Sequence, residues 1–375
     1  MSQEESIGLG VIGCGGFGLF ALQQFVQHPA VRLVGIAGTH REAARAAARR
    51  FGLGDVEEVD VMLQCDDVDM VYIATPPFLH GPQALQALRA GKHVLVEKPL
   101  AISVEQAETL IFEAQRRDLL LAVNMMQRYN PVFDQVRALI DSRLLGACLY
   151  ASFENCASDE NLPADHWFWN RQQSGGIFVE HGVHFFDLFA GWLGAGTVTA
   201  GSQFARPGTH LIDQVQCAGV FGTTCTHFYH GFHQAGRMDR QVCRLVFEQG
   251  DITLREWIPR SVTMDAVVDE AQTRAIVEYF PGCRLDVLES YAGPSRQVTN
   301  RGCRREVWQR VQVTWEHPLP KLPLYCELLR RLITDQIAWI RDRSHRRRVS
   351  HEHGLESLRL ACQAQQLADQ LTPSA

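Results

Sequence analysis

The sequence predicts an α/β plus α+β architecture, with an N-terminal doubly wound parallel sheet and a C-terminal open, mainly antiparallel sheet domain carrying helices. Three observations predict it. A glycine-rich turn, Gly13-Cys14-Gly15-Gly16-Phe17-Gly18, follows a short apolar run and opens a helical pattern. Short apolar runs then alternate with amphipathic stretches up to residue 123, as strands and their crossover helices do. Past residue 130 the apolar period becomes two, the mark of half-buried antiparallel strands.

In chain order, residues 7–12 read as a strand, 17–27 as a helix, 31–37 as a strand and 42–51 as an Ala/Arg-rich helix. Runs 68–74, 94–96 and 119–123 supply further strands, separated by helical periodicity at 81–90 and 104–117. A helix at 132–142 leads into alternating segments at 147–153, 197–204, 215–221, 242–247 and 307–315. Residues 178–193 read as an apolar helix, and 318–371 return to helical periodicity with Leu, Ile and Ala on one face.

The 375 residues exceed one small domain, since domains average roughly 150 residues. With 46% hydrophobic and 21% charged residues, the chain can bury a sizeable core. Its net charge of -6 and single compact basic run, Arg346-Arg347-Arg348, leave no footprint for nucleic acid; that run reads as a solvated turn. Eleven scattered cysteines without metal-ligand spacing read as reduced thiols. The acidic start and the lack of about 18 uninterrupted apolar residues speak against a secretory signal and a membrane span. The cytoplasm is the expected compartment.

Glycines 13, 15, 16 and 18 suit a tight strand-to-helix turn whose backbone approaches a pyrophosphate, with Phe17 opening the helix whose N-terminal amides receive it. About 20 residues on, where a carboxylate would clasp the ribose hydroxyls of NAD, stand Gly38-Thr39-His40-Arg41. The missing carboxylate and the donors Thr39, His40 and Arg41 favour NADP over NAD. Ala74-Thr75-Pro76-Pro77-Phe78-Leu79-His80 reads as a rigid loop that ends a strand. Glu97-Lys98-Pro99 does the same after the next strand, placing a lysine at the ligand edge of the sheet.

Together with Gly175-Gly176-Ile177-Phe178-Val179-Glu180-His181-Gly182-Val183-His184-Phe185-Phe186-Asp187, these motifs make the chain resemble the Gfo/Idh/MocA oxidoreductases over nearly its whole length. The resemblance implies a Rossmann domain at residues 1–125 and a substrate-binding and oligomerisation domain at 126–375. It further implies an NAD(P)-dependent site, and a homodimer or homotetramer formed through the exposed sheet face. Carried over by position, Lys98 lies near nicotinamide and substrate, and His184 is the acid/base. Thr75, Pro76, His80 and Glu97 join the cofactor contacts, and Arg128 and Asp187 the substrate contacts. The position that is usually Asp is Glu180 here.

On a regular helix Glu180, His184 and Asp187 share one face, so Glu180 is expected to orient and charge the histidine. Trp169 and Arg171, in the aromatic stretch before the glycine pair, suit stacking and hydrogen bonding to a polyol. The run Thr226-His227-Phe228-Tyr229-His230-Gly231-Phe232-His233 suits polar substrate contacts, His230 among them, and no metal is expected. The leading function is hydride transfer between NAD(P) and a sugar, cyclic polyol or related carbonyl compound. Two alternatives stand beside it: a redox-neutral glycosidase or isomerase with tightly held cofactor, and a non-catalytic NAD(P)-binding regulator.

Overall fold

The computed structural model describes residues 6–38, 40–54 and 58–371, the side chain of Leu371 excepted. Its first sheet has five strands, β1 (Ile7–Ile12), β2 (Val31–Ala37), β3 (Met70–Ile73), β4 (His93–Val96) and β5 (Leu121–Val123). They run parallel in the order β2-β1-β3-β4-β5. Every residue of β1, β3 and β5 is buried, which is why these strands read as continuous apolar runs. The order reverses at β1, so the carboxyl ends of β1 and β3 border the crevice where ligands of such sheets bind.

Helices α1 (Gly16–Phe25), α2 (Arg41–Arg50), α3 (Val59–Gln64), α4 (Pro77–Arg89) and α5 (Val104–Arg116) make the crossovers. Two of their starts show local causes. Ser103 caps α5 by accepting from the Gln106 amide. Pro77 is the first residue of α4, a place where its fixed φ and missing N–H cost nothing. The two prolines therefore start a helix rather than prolonging a loop, and His80 lies in that helix's first turn.

Further on come α6 (Pro131–Ser142), β6 (Cys148–Ala157), α7 (Arg171–Ser174), a π-helical turn (Phe178–Gly182) and α8 (Val183–Leu193). Strands β7 (Gly196–Ala205), β8 (Ile212–Phe221), β9 (Thr224–Phe232), β10 (Arg240–Phe247), β11 (Gly250–Arg255) and β12 (Ser261–Val268) precede α9 (Glu270–Tyr279). The chain closes with β13 (Arg284–Ser290), the hairpin β14 (Gln297–Asn300) and β15 (Cys303–Glu306), β16 (Gln309–Glu316), α10 (Lys321–Arg341) and α11 (His351–Leu371). The second sheet has nine strands in the order β13-β16-β12-β11-β10-β6-β9-β8-β7. All its pairings are antiparallel except β6 with β9.

By packing, the described chain forms two compact units, each discontinuous in sequence. The first gathers residues up to Tyr129 with Pro163–Asp187 and Tyr325–Gln363. The second gathers Asn130–Leu162, Leu188–Leu324 and the residues from Ala364 on. Phe189, Phe221 and Phe228 are fully buried at the centre of the second unit. Among the described residues, no helix is long and apolar enough to cross a membrane.

Candidate active site

β1 runs into Gly13, whose φ of 106° and whose would-be Cβ, 2.5 Å from the Ala74 carbonyl oxygen, admit glycine alone. At Gly18 a Cβ would lie 2.6 Å from the Ala74 methyl, so α1 packs closely on the end of β3. Gly15 and Gly16 differ: apart from their chain neighbours, nothing among the described residues lies within 4 Å of where their Cβ atoms would be. No side chain caps α1, and its first turn holds no acid. Its leading amides and positive dipole end are thus presented to open space, which fits a pyrophosphate. Phe17 is 38% exposed and clusters with Phe20 and with Tyr325 of α10.

At the ribose end, Gly38 follows β2, and Thr39 lies outside the described residues. Exposed His40 is the N-cap of α2 and makes no side-chain cap bond. Arg41 is ion-paired with Glu58, both side chains being mostly exposed.

β4 delivers Glu97-Lys98-Pro99 to the carboxyl edge of the sheet, where Lys98 meets the π-helical turn. Its Nζ donates to the Glu180 carbonyl oxygen at 2.7 Å and to Glu180 Oε1 at 2.5 Å. Both side chains are largely buried, so this is a desolvated charge-assisted pair. His184, one residue into α8, is 5% exposed. Burial, and secondly the Lys98 charge, hold its pKa well below the usual imidazole value. The ring is therefore neutral at physiological pH.

Several expectations change here. The spacing argument assumed a regular helix through Glu180 and His184, but residues 178–182 form a π-turn, which rotates Glu180 relative to the α-helix that follows. The carboxylate lies on Lys98. Asp187 accepts from Arg128 Nε at 2.8 Å, and Arg128 also reaches the Asp187 carbonyl. Their charges meet each other in a buried pair. His80 has the Pro99 and Thr75 carbonyl oxygens each 2.7 Å from a ring nitrogen. It ties together the segments after β3 and β4 and, at 1% exposure, has no surface for a cofactor.

Glu97 is buried as well. Its Oε1 accepts from Tyr72 Oη and from Asn124 Nδ2, a supporting role that needed the sheet order to be seen. Thr75 Oγ1 donates to Gln83, and Thr75 and Pro76 remain partly exposed at the sheet edge. Trp169 packs edge-on against Phe168 at 4.7 Å, half-buried, while Arg171 is exposed at the start of α7. His230 belongs to the second unit, fully buried with its ring 5.4 Å from Phe153, so it packs as a core residue.

Sequence reasoning missed one set of supports. Arg347 and Arg348 are no solvated turn: Arg347 donates to the Leu121 carbonyl and Arg348 to that of Arg128, fastening the segment before α11 to β5 and the turn after it. Their only signal was three arginines in a row. Among the described residues, no group of His, Cys, Asp or Glu could hold a metal ion.

Comparison with known proteins follows the same outline. Residues 7–125 match the NAD-binding Rossmann-fold model of the GFO/IDH/MocA oxidoreductase family, and residues 133–253 match its C-terminal domain. The chain is 36% identical over 186 residues to a dTDP-3,4-didehydro-2,6-dideoxy-alpha-D-glucose 3-reductase of Streptomyces violaceoruber, covering 48% of this chain and 52% of that protein. Over 194 residues it is 27% identical to a scyllo-inositol 2-dehydrogenase (NAD(+)) of Bacillus subtilis, covering 51% and 55%. The chain thus spans about half the length of these curated relatives. A 3-ketoreductase from Actinomadura kijaniata, solved with NADP and TDP-benzene, has the same fold, with a TM-score of 0.73 at 20% identity over 96% of this chain and 98% of that one. With the glycine cradle in place and both of the family's domain models matched in register, the chain belongs to the GFO/IDH/MocA oxidoreductases, and its first sheet is their NAD(P)-binding Rossmann domain.

Proposed function

We propose that the chain catalyses hydride transfer between NADP and a sugar, cyclic polyol or related carbonyl compound, with His184 as acid/base and Lys98 as electrophile. One observation carries the reading: a lysine held by a carboxylate stands at the ligand edge of a Rossmann sheet, near enough to lower the pKa of a buried histidine. The relatives named as a dTDP-sugar 3-reductase and a scyllo-inositol 2-dehydrogenase support the substrate class. Carboxylate-free Gly38 and exposed His40 support NADP over NAD.

Bound NADP supplies the hydride acceptor or donor. In the oxidising direction, neutral His184 takes the hydroxyl proton at its ring nitrogen. The Lys98 ammonium steadies the negative charge that grows on the substrate oxygen. Glu180, by holding Nζ through both its carboxylate and its carbonyl, fixes the lysine before substrate arrives, so little reorganisation remains at the moment of transfer. We place the enzyme in the cytoplasm as a homodimer or homotetramer, which light scattering reads directly.

The test is to identify any nucleotide retained through purification by mass spectrometry, then to screen sugars, polyols and nucleotide sugars for a change at the nicotinamide absorbance band. A net change with one class of substrate is expected. Product formed without net change would select the redox-neutral route instead. Nucleotide binding without turnover of any member of the panel would favour a regulator.

A further inference from the structure

We infer that Cys14 determines cofactor specificity: its thiol occupies the space that a side chain at position 38 needs, and so excludes a carboxylate from the ribose end of the site. The inference deepens the NADP reading above and rests on it.

β1 and β2 run side by side to their ends, with Ile12 opposite Ala37 and the Gly13 amide donating to the Ala37 carbonyl at 2.9 Å. The chain leaves both strands at that level, which brings Cys14 and Gly38 together. A Cβ built on Gly38 would lie 2.8 Å from Cys14 Sγ and 3.5 Å from the Ala44 Cβ, with no other heavy atom of the described residues beyond its chain neighbours within 4 Å. The second distance is ordinary van der Waals contact; the first is a collision. The φ of Gly38 also lies outside the left-handed region that would demand glycine. Backbone conformation therefore leaves position 38 open to any residue, and a single atom, the sulfur, closes it.

Position 38 is where the carboxylate of NAD-specific Rossmann sites stands, accepting from the ribose hydroxyls and repelling a 2'-phosphate. With the thiol where it stands, an aspartate at 38 can seat its Cβ only if the Cys14 side chain turns away. Burial raises the thiol's own pKa, so Cys14 brings no negative charge in its stead. Cys14 is half-buried beneath the turn of the glycine motif, where a cysteine would otherwise be an unremarked filler between two glycines.

The experiment is a cycle of calorimetric titrations with NAD and NADP on the purified protein and on Cys14→Ala, Gly38→Asp and the double variant. Gly38→Asp alone is expected to weaken both nucleotides at least tenfold. Adding Cys14→Ala should recover NAD binding at least tenfold relative to Gly38→Asp and reverse the preference toward NAD. If Gly38→Asp alone binds NAD as tightly as the double variant does, the sulfur steps aside and the inference is overturned.

Should circular dichroism show Gly38→Asp unfolded, the pair Gly38→Ala and Cys14→Ala/Gly38→Ala isolates the same contact with one methyl group. Weaker binding of both nucleotides to Gly38→Ala, relieved in the double variant, supports the inference, and equal affinities overturn it. A wild-type protein that prefers NAD would refute the NADP reading by itself. The coupling between positions 14 and 38 would still be read from the cycle, so the two failures are distinct.

Discussion

His184 and His230 are both deeply buried histidines held neutral, yet their surroundings differ. Burial alone pushes His230 down to about 3, and its ring lies against Phe153 in the second sheet. For His184 a second cause joins burial, the charge of Lys98 arriving from a strand end, and that lysine is itself held by Glu180. Depressed basicity is thus a property of any dry imidazole. What sets the two rings apart is a charged neighbour supplied by another element, and such a neighbour is what makes His184 the candidate of the two for chemistry.

The largest expected effect separates the two rings. His184→Ala should lower turnover by ~10²–10⁴ while nucleotide binding persists. His230→Leu, which replaces a buried polar ring by an apolar group, should leave turnover within about threefold and stability within ~2 kcal/mol. Steady-state rates and urea melts on the two proteins check this. A folded His230→Leu protein as inactive as His184→Ala would break the contrast.

Removing the charged neighbour should come next. Lys98→Met takes away a cation that opposes protonation of His184, so the histidine pKa should rise toward the level that burial alone sets. The acid limb of the pH–rate profile then moves to higher pH, alongside a loss of ~10² in turnover. Single-turnover rates across pH measure both. An unmoved limb would mean that Lys98 does not act on the ring.

Two carboxylates sharpen the same point. Glu180 meets a cation, whereas Glu97 accepts from a phenol and an amide, and burial raises the Glu97 pKa. A raised value in the folded state means its stabilising contribution is full below the ordinary carboxylate range and is lost as pH rises through the folded value. Glu97→Gln, which does not titrate, should remove that loss. Glu97→Ala should cost about 1–3 kcal/mol in the acid range by stranding Tyr72 and Asn124, the deficit shrinking as pH rises and the wild-type contribution fades. Denaturant melts at a series of pH values test both statements.

The smallest effect belongs to the surface. Glu58→Gln frees Arg41 from an exposed pair, and exposed pairs are weak. NADP binding should tighten two- to fivefold, with the gain fading as salt is raised and NAD unaffected. An equal gain for both nucleotides would show that Arg41 does not meet a 2'-phosphate.

Local chemistry was the legible part. The glycine cradle, the parallel strands and the alternation in the second sheet announce themselves within windows of a dozen residues, because strand burial and turn geometry are local demands. The short helices α3, α7 and α9 and strands β11 to β15 escaped. β13, for instance, is an edge strand largely exposed along Arg-Leu-Asp-Val-Leu-Glu-Ser, which leaves no alternation to read. At the site, Lys98 and His184 could be named, but their relation to Glu180 could not, since one π-turn defeats an i, i+4 count. Glu97, His80, Arg128 and Asp187 entered as ligand contacts through the family resemblance; only their tertiary partners show that each is also engaged within the protein.

The first unit draws on three separate stretches of chain, and this bears on how the protein comes off the ribosome. A nascent chain of about 130 residues already contains all five strands of the parallel sheet, but Lys98 must wait for Glu180, 82 residues later, and the Arg128 carbonyl for Arg348, 220 residues later. Vectorial folding of the N-terminal half as a finished domain is therefore not available to this fold. The sheet can form early, the turn that meets Lys98 can dock once about half of the chain has emerged, and the arginine clasp on β5 closes only after Arg348 is out.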